Sequence, residues 1–342
     1  SAFFDILIIF FIIKTVELLE KKNRFPSSLK YWAGFFYAIA VLPIQLSHFF
    51  AVDTFLNFFM FGSFYFAFRK KNILSAIFFG LALSCKITAV FILPLNLILI
   101  SFAYLKRPSQ IGKSLLKVLI YFGISYFVLR LADPYLFQNS NIFDPAISKL
   151  FIENIKSLQN MTVKSIDNWF PPMVQWLNKN SVQHSLVNNV VFGLGIPFAI
   201  LTIVGILKVL LSFPQIHIIL FWTLGFFIYQ SLQVTPTLRY FIIIYPFLAI
   251  FAAFGIEYLI DYRFKLVGKF NSYPKKYSYF FIFISVCILL LWPIMFSSIY
   301  NKKNSRVEAS EWIYKNLPGN SLIIGESWDD SLPLGVINNY GK

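Results

Sequence analysis

Acidic and basic side chains occur at the ends of several long apolar segments of this sequence. They fall at one predicted depth and are Asp5, Asp53, Arg130, Asp133 and Arg239, with Lys86 in a break between two apolar runs. Lysine or arginine could neutralise a phosphate, and a carboxylate could take a proton from an attacking hydroxyl. This combination predicts a site for a phosphate-bearing lipid, although each residue taken singly could be an interfacial anchor.

The few histidine and cysteine residues give little indication of catalysis or metal binding. His48 could reach Asp53 if the turn between them folds back, but interfacial hydrogen bonding is the alternative explanation. Cys85 and Cys287 lie within apolar runs and have no ligand-spaced partner, so the sequence offers neither a disulfide framework nor a cysteine metal site. We find no phosphate-binding glycine loop and no nucleophile elbow.

The composition indicates that apolar helices position these residues. Of the 342 residues, 58% are hydrophobic, 20% are aromatic and 13% are charged, and the mean hydropathy is +0.68. Soluble domains carry about 25% charged residues, so a water-soluble globule is excluded. We predict an all-α, polytopic membrane helical bundle of about ten spans, with span 73–85 short, tilted or re-entrant. The predicted spans are residues 2–17, 31–46, 52–68, 73–85, 87–105, 115–132, 190–211, 216–233, 238–260 and 278–299.

The cations are distributed unevenly between the two sides of the predicted bundle. When the connecting segments alternate, one face collects seventeen cations and four acids, and the other collects eleven of each. The seventeen cations are Lys21, Lys22, Arg24, Lys30, Arg69, Lys70, Lys71, Lys106, Arg107, Lys113, Lys117, Lys208, Arg263, Lys265, Lys269, Lys275 and Lys276. The positive-inside rule makes that face cytoplasmic, so the predicted site faces the extracytoplasmic side of a cell membrane. Topology thus explains the net charge of +15 without nucleic acid as a partner.

Two segments outside the predicted spans lie on the extracytoplasmic side. A loop over 133–189 carries apolar residues at helical spacing from Ala146 to Leu158, which predicts an amphipathic helix on the membrane surface. The tail 300–342 combines a helical pattern over Val307–Asn316 with a strand-like Ser321–Gly325, which predicts the start of a small α/β segment. We therefore divide the chain into a bundle, 1–299, and a tail domain, 300–342. Because the first span runs inward from Ser1, we expect a fragment that lacks at least one upstream helix.

Several motifs resemble those of known membrane glycosyltransferases. Pro43–Thr54, running into an aromatic span, resembles the second extracytoplasmic motif of bacterial enzymes related to protein O-mannosyltransferases and aminoarabinose transferases. Gly80–Ala89 is similar to their glycine-rich, lysine-bearing helix junction, and Leu238-Arg239-Tyr240 with Tyr245-Pro246 is similar to their late Arg-Tyr motif. The tail segments 309–313 and 326–333 resemble the start of the outer domain in members that use a phospholipid carrier.

This resemblance implies a GT-C type fold that transfers a sugar, such as a mannose-type hexose, from a polyprenyl-phosphate donor to an acceptor protein, lipid or glycan, with inversion. Asp53 matches the acid of the second motif and implies contact with the acceptor or with a divalent cation; no other cofactor is expected. Lys86 and Arg239 match the basic positions that would hold the donor phosphate. The usual base is an acid in a loop before this sequence begins, so we expect the fragment to be inactive.

Four further residues complete the predicted site. Asp5 borders the expected cavity as a second catalytic candidate, and His48, Arg130 and Tyr240 are candidates for substrate binding. Two other classes of function stay open at this stage. A transporter or flippase would need a charged path that continues to the cytoplasmic side, and a polymer ligase or a non-catalytic scaffold could share the bundle architecture.

Overall fold

The structure, a computed structural model, describes residues 1–23, 25–105, 109, 111–161, 171–176, 179–269, 275–325 and 331–335. Within these ranges the chain is all-helical and forms no strand, apart from an isolated bridge between Phe137 and Ile147. The α-helices of the described residues are α1 (Ala2–Asn23), α2 (Leu29–Ile39), α3 (Val41–Ser47), α4 (Val52–Phe68), α5 (Asn72–Cys85), α6 (Leu93–Leu105), α7 (Ile111–Ala132), α8 (Lys149–Met161), α9 (Ser181–Val187), α10 (Ile196–Ser212), α11 (His217–Ser231), α12 (Tyr245–Lys269), α13 (Lys275–Ser297) and α14 (Ser305–Asn316).

The chain divides into two compact units, residues 1–290 and 291–342. In the first unit, α12 is the central helix and packs against α2, α10 and α1. Aromatic rings fill the core: Phe61 and Phe64 of α4 lie 5.2 and 5.0 Å, centroid to centroid, from Phe247 of α12. Such edge-to-face contacts add to the stability that apolar burial provides, and they fix α4 against α12.

Some helices are long and apolar enough to cross a membrane. Among the described residues they are Ile111–Ala132, Leu238–Asp261 and Ile282–Asn316, and two bent helix pairs would raise the number from three to five. The helix α7 has an exposed apolar surface, which includes Leu119, Phe127 and Leu131 and is compatible with a helix that crosses a membrane. The helical class and the membrane-compatible helices are confirmed, whereas the count of about ten spans stays a prediction.

Two predicted spans are not single helices. The predicted helix over 190–211 is broken, because a π-helical turn, Asn188–Leu194, meets α10 at Gly195 with a bend of 112°. Gly195 has a φ of 86°, which a residue without a Cβ adopts at little cost, and Pro197 follows in the first turn of α10. The predicted helix over 31–46 bends by 57° between α2 and α3, where Ala40 is extended.

The two predicted extramembrane segments are confirmed only in their helical parts. The amphipathic helix expected over 146–158 is α8, and the helix expected in the tail is α14. The strand expected over Ser321–Gly325 is wrong: this stretch is irregular, since it finds no neighbouring strand in the described part of the tail. The motif over 326–333 lies mostly outside the described residues.

Candidate functional site

Asp53 enters the site from the first turn of α4. The helix starts after Ala51, whose backbone is extended, and an acid at this position interacts favourably with the helix dipole. Asp53 is only 3% exposed, since α4 packs into the aromatic core. A buried carboxylate requires a charged partner, and the structure provides one from the next helix junction.

Lys86 is that partner and lies between α5 and the 3₁₀ segment Ile87–Ile92. Its backbone is extended, with φ −164° and ψ 136°, so the chain changes direction there. Its Nζ donates a hydrogen bond to Asp53 Oδ1 at 3.1 Å. The second carboxylate oxygen of Asp53 makes no hydrogen bond with the described residues. The Lys86 side chain is 29% exposed, so its ammonium stays accessible while it is paired.

Tyr240 brings the late Arg-Tyr motif to the same place. It lies in the 3₁₀ segment Leu238–Ile244 that precedes α12, and its ring centroid is 4.2 Å from Lys86 Nζ. This distance is within cation–π range. The guanidinium carbon of Arg239 is 5.2 Å from the centroid of the same ring. Asp53, Lys86 and Tyr240 therefore meet in space.

A cavity of about 260 Å³ opens beside these three residues, and we call it the Lys86 cavity. Polar side chains that the sequence analysis missed also line it, namely Thr88, Gln230, Gln233 and Thr235. Leu56, Phe91, Phe226, Ile242 and Ile243 provide apolar walls. The sequence contained a signal, because Gln230 and Gln233 end an otherwise apolar segment. Amide side chains at such a position favour a polar environment over lipid.

Asp5 is not on the wall of the Lys86 cavity. It accepts a hydrogen bond from the Tyr37 hydroxyl at 2.6 Å, and Asn57 Nδ2 donates to the same hydroxyl at 3.0 Å. Asn57 lies one helical turn after Asp53 on α4. The prediction that Asp5 borders the cavity is therefore wrong, because Tyr37 draws its carboxylate into a separate network joining α1, α2 and α4.

Arg130 is also elsewhere. It lies at the end of α7 and donates hydrogen bonds to the backbone carbonyls of Asn139 and Asn141, with its guanidinium carbon 4.2 Å from the Phe137 ring centroid. The expectation that it shares the site with Asp53 is wrong, because the chain after α7 folds back over it. It lines a second cavity, bounded by residues 130–154, which we call the loop cavity.

His48 and Arg239 complete the comparison with the predicted site. His48 Nδ1 lies 2.7 Å from Ile44 O at the end of α3, and the residue does not line the Lys86 cavity. Arg239 is next to Tyr240 but does not line the cavity either, so of the two predicted phosphate-binding cations only Lys86 is on its wall.

The donor set of the site does not provide a cage for a divalent cation. No group of three histidine, cysteine, aspartate or glutamate side chains comes together in the described part of the chain. Asp53 supplies the carboxylate of the Lys86 cavity, and Lys86 already neutralises it. Ions such as Mg²⁺ need several oxygen ligands, so we assign no step to a metal.

Comparisons with protein-family models, with curated proteins and with solved structures found no match for this chain.

Proposed function

We propose that this chain belongs to a multi-pass membrane glycosyltransferase that moves a sugar from a polyprenyl-phosphate donor to an acceptor on the extracytoplasmic face. The observation that carries the proposal is the contact of Lys86 with both Asp53 and Tyr240 at the wall of a cavity. Motifs that resemble glycosyltransferase motifs thus supply three residues that meet in space. The acceptor and the sugar are left open.

Lys86 suits the role of binding the donor phosphate. An ammonium has three donors, and Asp53 Oδ1 occupies one of them. The others can face a phosphate while the tyrosine ring supports the cation from another side. In a low-dielectric site such a charge stabilises a leaving phosphate more strongly than it would in water. We therefore assign Lys86 to the phosphate that leaves with the lipid.

Asp53 suits a positioning role better than that of a general base. In an inverting displacement the acceptor hydroxyl attacks the face of the sugar opposite the leaving phosphate, and its base must be on that side. Asp53 is in direct contact with Lys86, so it lies on the phosphate side. Its carboxylate would orient the ammonium, and the base for the acceptor would be another group.

The cavity walls also fit this class of substrate. A volume of about 260 Å³ is below the range of ~300–1,000 Å³ that is usual for drug-sized ligands, so it admits a group of about one sugar. The glutamines and threonines can bond sugar hydroxyls, and the phenylalanines and isoleucines can contact the first part of a prenyl chain. The distribution of cations supports placing this cavity on the extracytoplasmic side.

The proposal is tested by transfer kinetics with the full-length protein in membranes, using radiolabelled polyprenyl-phosphate sugars. We expect Lys86→Gln and Asp53→Asn each to raise the donor KM by about tenfold or more, since each breaks a charge-assisted bond of ~1.5–3 kcal/mol. The double variant should be no worse than Lys86→Gln, because the two residues act as a unit. The control is Lys71→Gln, which removes an exposed cation from the turn between α4 and α5.

Three outcomes would contradict the proposal. Unchanged donor KM and turnover in Lys86→Gln would remove the phosphate role. Movement of the labelled lipid across vesicle membranes without any labelled product would instead favour a flippase. A product formed only from a diphosphate-linked polymer would favour a ligase.

A further inference from the structure

The guanidinium of Arg130 is buried and only partly satisfied. The residue is 4% exposed, and its Nη2 donates to Asn141 O at 2.7 Å and to Asn139 O. Its Nη1 is buried and has no hydrogen-bond partner. Arg130 forms no ion pair with any acid of the described residues. A buried cation with a free donor is costly unless an anion meets it.

Asp144 is a candidate counter-charge for Arg130, but its carboxylate is hydrogen-bonded elsewhere in the loop. Asp144 accepts hydrogen bonds from Ala146 N at 2.9 Å and from Asn139 Nδ2, so its carboxylate holds the loop rather than Arg130. The carbonyls of Asn139 and Asn141 carry only partial charge. The end of α7 therefore presents a positive charge that Asp144 offsets through space but that no carboxylate of the described residues contacts directly.

Arg130 lines the loop cavity, whose volume is about 880 Å³. Gln138, Ser148 and Asn154 add amide and hydroxyl groups to the wall, and Asp133 adds one negative charge. Arg130 and Asp133 are the two charged residues of the wall, so the cavity offers a single cation and no second one to neutralise a doubly charged anion. A planar guanidinium is well matched to phosphate oxygens.

We propose that the loop cavity binds a singly charged phosphodiester through Arg130. The group could come from a soluble molecule or from a membrane lipid, whose chains would lie along the exposed apolar side of α7 that ends at this cavity. The loop cavity shares no lining residue with the Lys86 cavity. This site therefore does not rest on the proposed transfer reaction.

The test uses the full chain purified in an uncharged detergent. Dimethyl phosphate is the soluble probe, and uncharged trimethyl phosphate is its control. A second arm uses nanodiscs that contain phosphatidylglycerol or only phosphatidylcholine, followed by native mass spectrometry of retained lipid. We expect dimethyl phosphate to bind by calorimetry and to protect residues 130–154 from hydrogen exchange, if the source is soluble. Selective retention of phosphatidylglycerol without binding of the soluble diester would assign the site to a lipid.

Variants distinguish binding inside the loop cavity from attraction of the anion to surface charge. Arg130→Gln should weaken binding by about tenfold or more, since a charged hydrogen bond is lost. Ser148→Leu fills the loop cavity without removing the charge of Arg130, and it should also weaken binding of the diester. Lys149→Gln removes one positive charge from an exposed position next to Ser148, and it should leave the affinity for the diester within about twofold of the wild type.

The proposal is overturned if the wild-type chain binds neither probe, or if Lys149→Gln weakens binding as much as Arg130→Gln. It is also overturned if bound diester protects other segments but not 130–154. The exchange measurement needs no variant, so a failure of Arg130→Gln to fold leaves the question decidable.

Discussion

Lys86 and Asp53 are each held in surroundings that oppose their charge. Because Asp53 is buried, removing Lys86 would leave the carboxylate without a compensating charge, so the pair constrains the junction after α5 as well as the site. The Tyr240 ring at 4.2 Å adds a further attraction for the same ammonium. The position of Lys86 Nζ is therefore fixed before any ligand arrives.

A different carboxylate, that of Asp144, controls the loop over Arg130. Its pKa is lowered from the ordinary value of 3.8, first because Ala146 N donates to it and then because Asn139 does so, with Arg130 contributing charge. A lowered pKa in the folded loop means that ionised Asp144 stabilises the loop above about pH 4, and that this contribution is lost as the pH falls through the lowered value.

We predict that the loop loses protection as the medium is acidified below about pH 4. The probes are two backbone N–H groups: that of Gln138 donates to Ala146 O, and that of Ser148 donates to Leu136 O. Hydrogen exchange, corrected for its intrinsic pH dependence, should show their protection falling over this range. Asp144→Asn should have low protection already at pH 7, and Glu153→Gln, which removes an exposed acid of α8, should behave as the wild type. Equal acid loss in Asp144→Asn would refute the assignment.

The sequence predicts part of the site because charge in an apolar run is conspicuous. Asp53 and Lys86 stand out in this way, and Tyr240 belongs to a motif. Arg130 stands out equally, yet its place depends on how the chain folds back after α7, and no local pattern encodes that return. Gln230 and Gln233 were missed because uncharged amides at the end of an apolar helix are easily taken for interfacial residues.

Among the helices, α10 and α12 cross with their backbones in close contact. A Cβ at Gly205 of α10 would overlap the carbonyl oxygen of Phe251, and a Cβ at Gly255 of α12 would overlap that of Leu201. Small residues at such a crossing allow backbone contact, which is a main source of stability between helices in lipid. This crossing positions α12, and through the segment before it also Tyr240.

We predict that Gly205→Ala destabilises the bundle. The added methyl has no space, so the helices must separate, at a cost of about 1–3 kcal/mol or more. The midpoint of heat unfolding in detergent should fall clearly below that of the wild type. The matched control is Gly225→Ala on α11, where a Cβ would meet nothing within 4 Å and where alanine favours the helix. An unchanged midpoint in Gly205→Ala would contradict the tight crossing.

At the level of elements, sequence patterns predict which segments are helical better than they predict where helices bend. Apolar runs gave α4, α7 and α11 directly. The break at Gly195 was missed because a glycine inside an apolar run is equally compatible with a continuous helix, and only tertiary packing selects a φ of 86°. The strand predicted over Ser321–Gly325 was wrong because β-branched and apolar residues form a strand only when a neighbouring strand pairs with them.

For the whole molecule, the decisive question is which segments face which side of the membrane. The turn between α4 and α5 carries Arg69, Lys70 and Lys71, all exposed. The loop after α7 carries Phe143, which is 93% exposed, and the cavity of Arg130. Positive-inside reasoning puts the turn in the cytoplasm and the loop outside. The same rule predicts that both cavities are reached from the extracytoplasmic side.

We predict that the two segments react with thiol reagents from opposite sides. In a background with Cys85→Ala and Cys287→Ala, a Phe143→Cys variant should be labelled by a membrane-impermeant maleimide in intact cells. A Lys71→Cys variant should be labelled only after the membrane is permeabilised, because the positive-inside rule predicts a cytoplasmic location for that turn. The cysteine-free background is the control for unspecific labelling. Labelling of Lys71→Cys in intact cells would reverse the sidedness, and the proposed extracytoplasmic transfer would then have no support from topology.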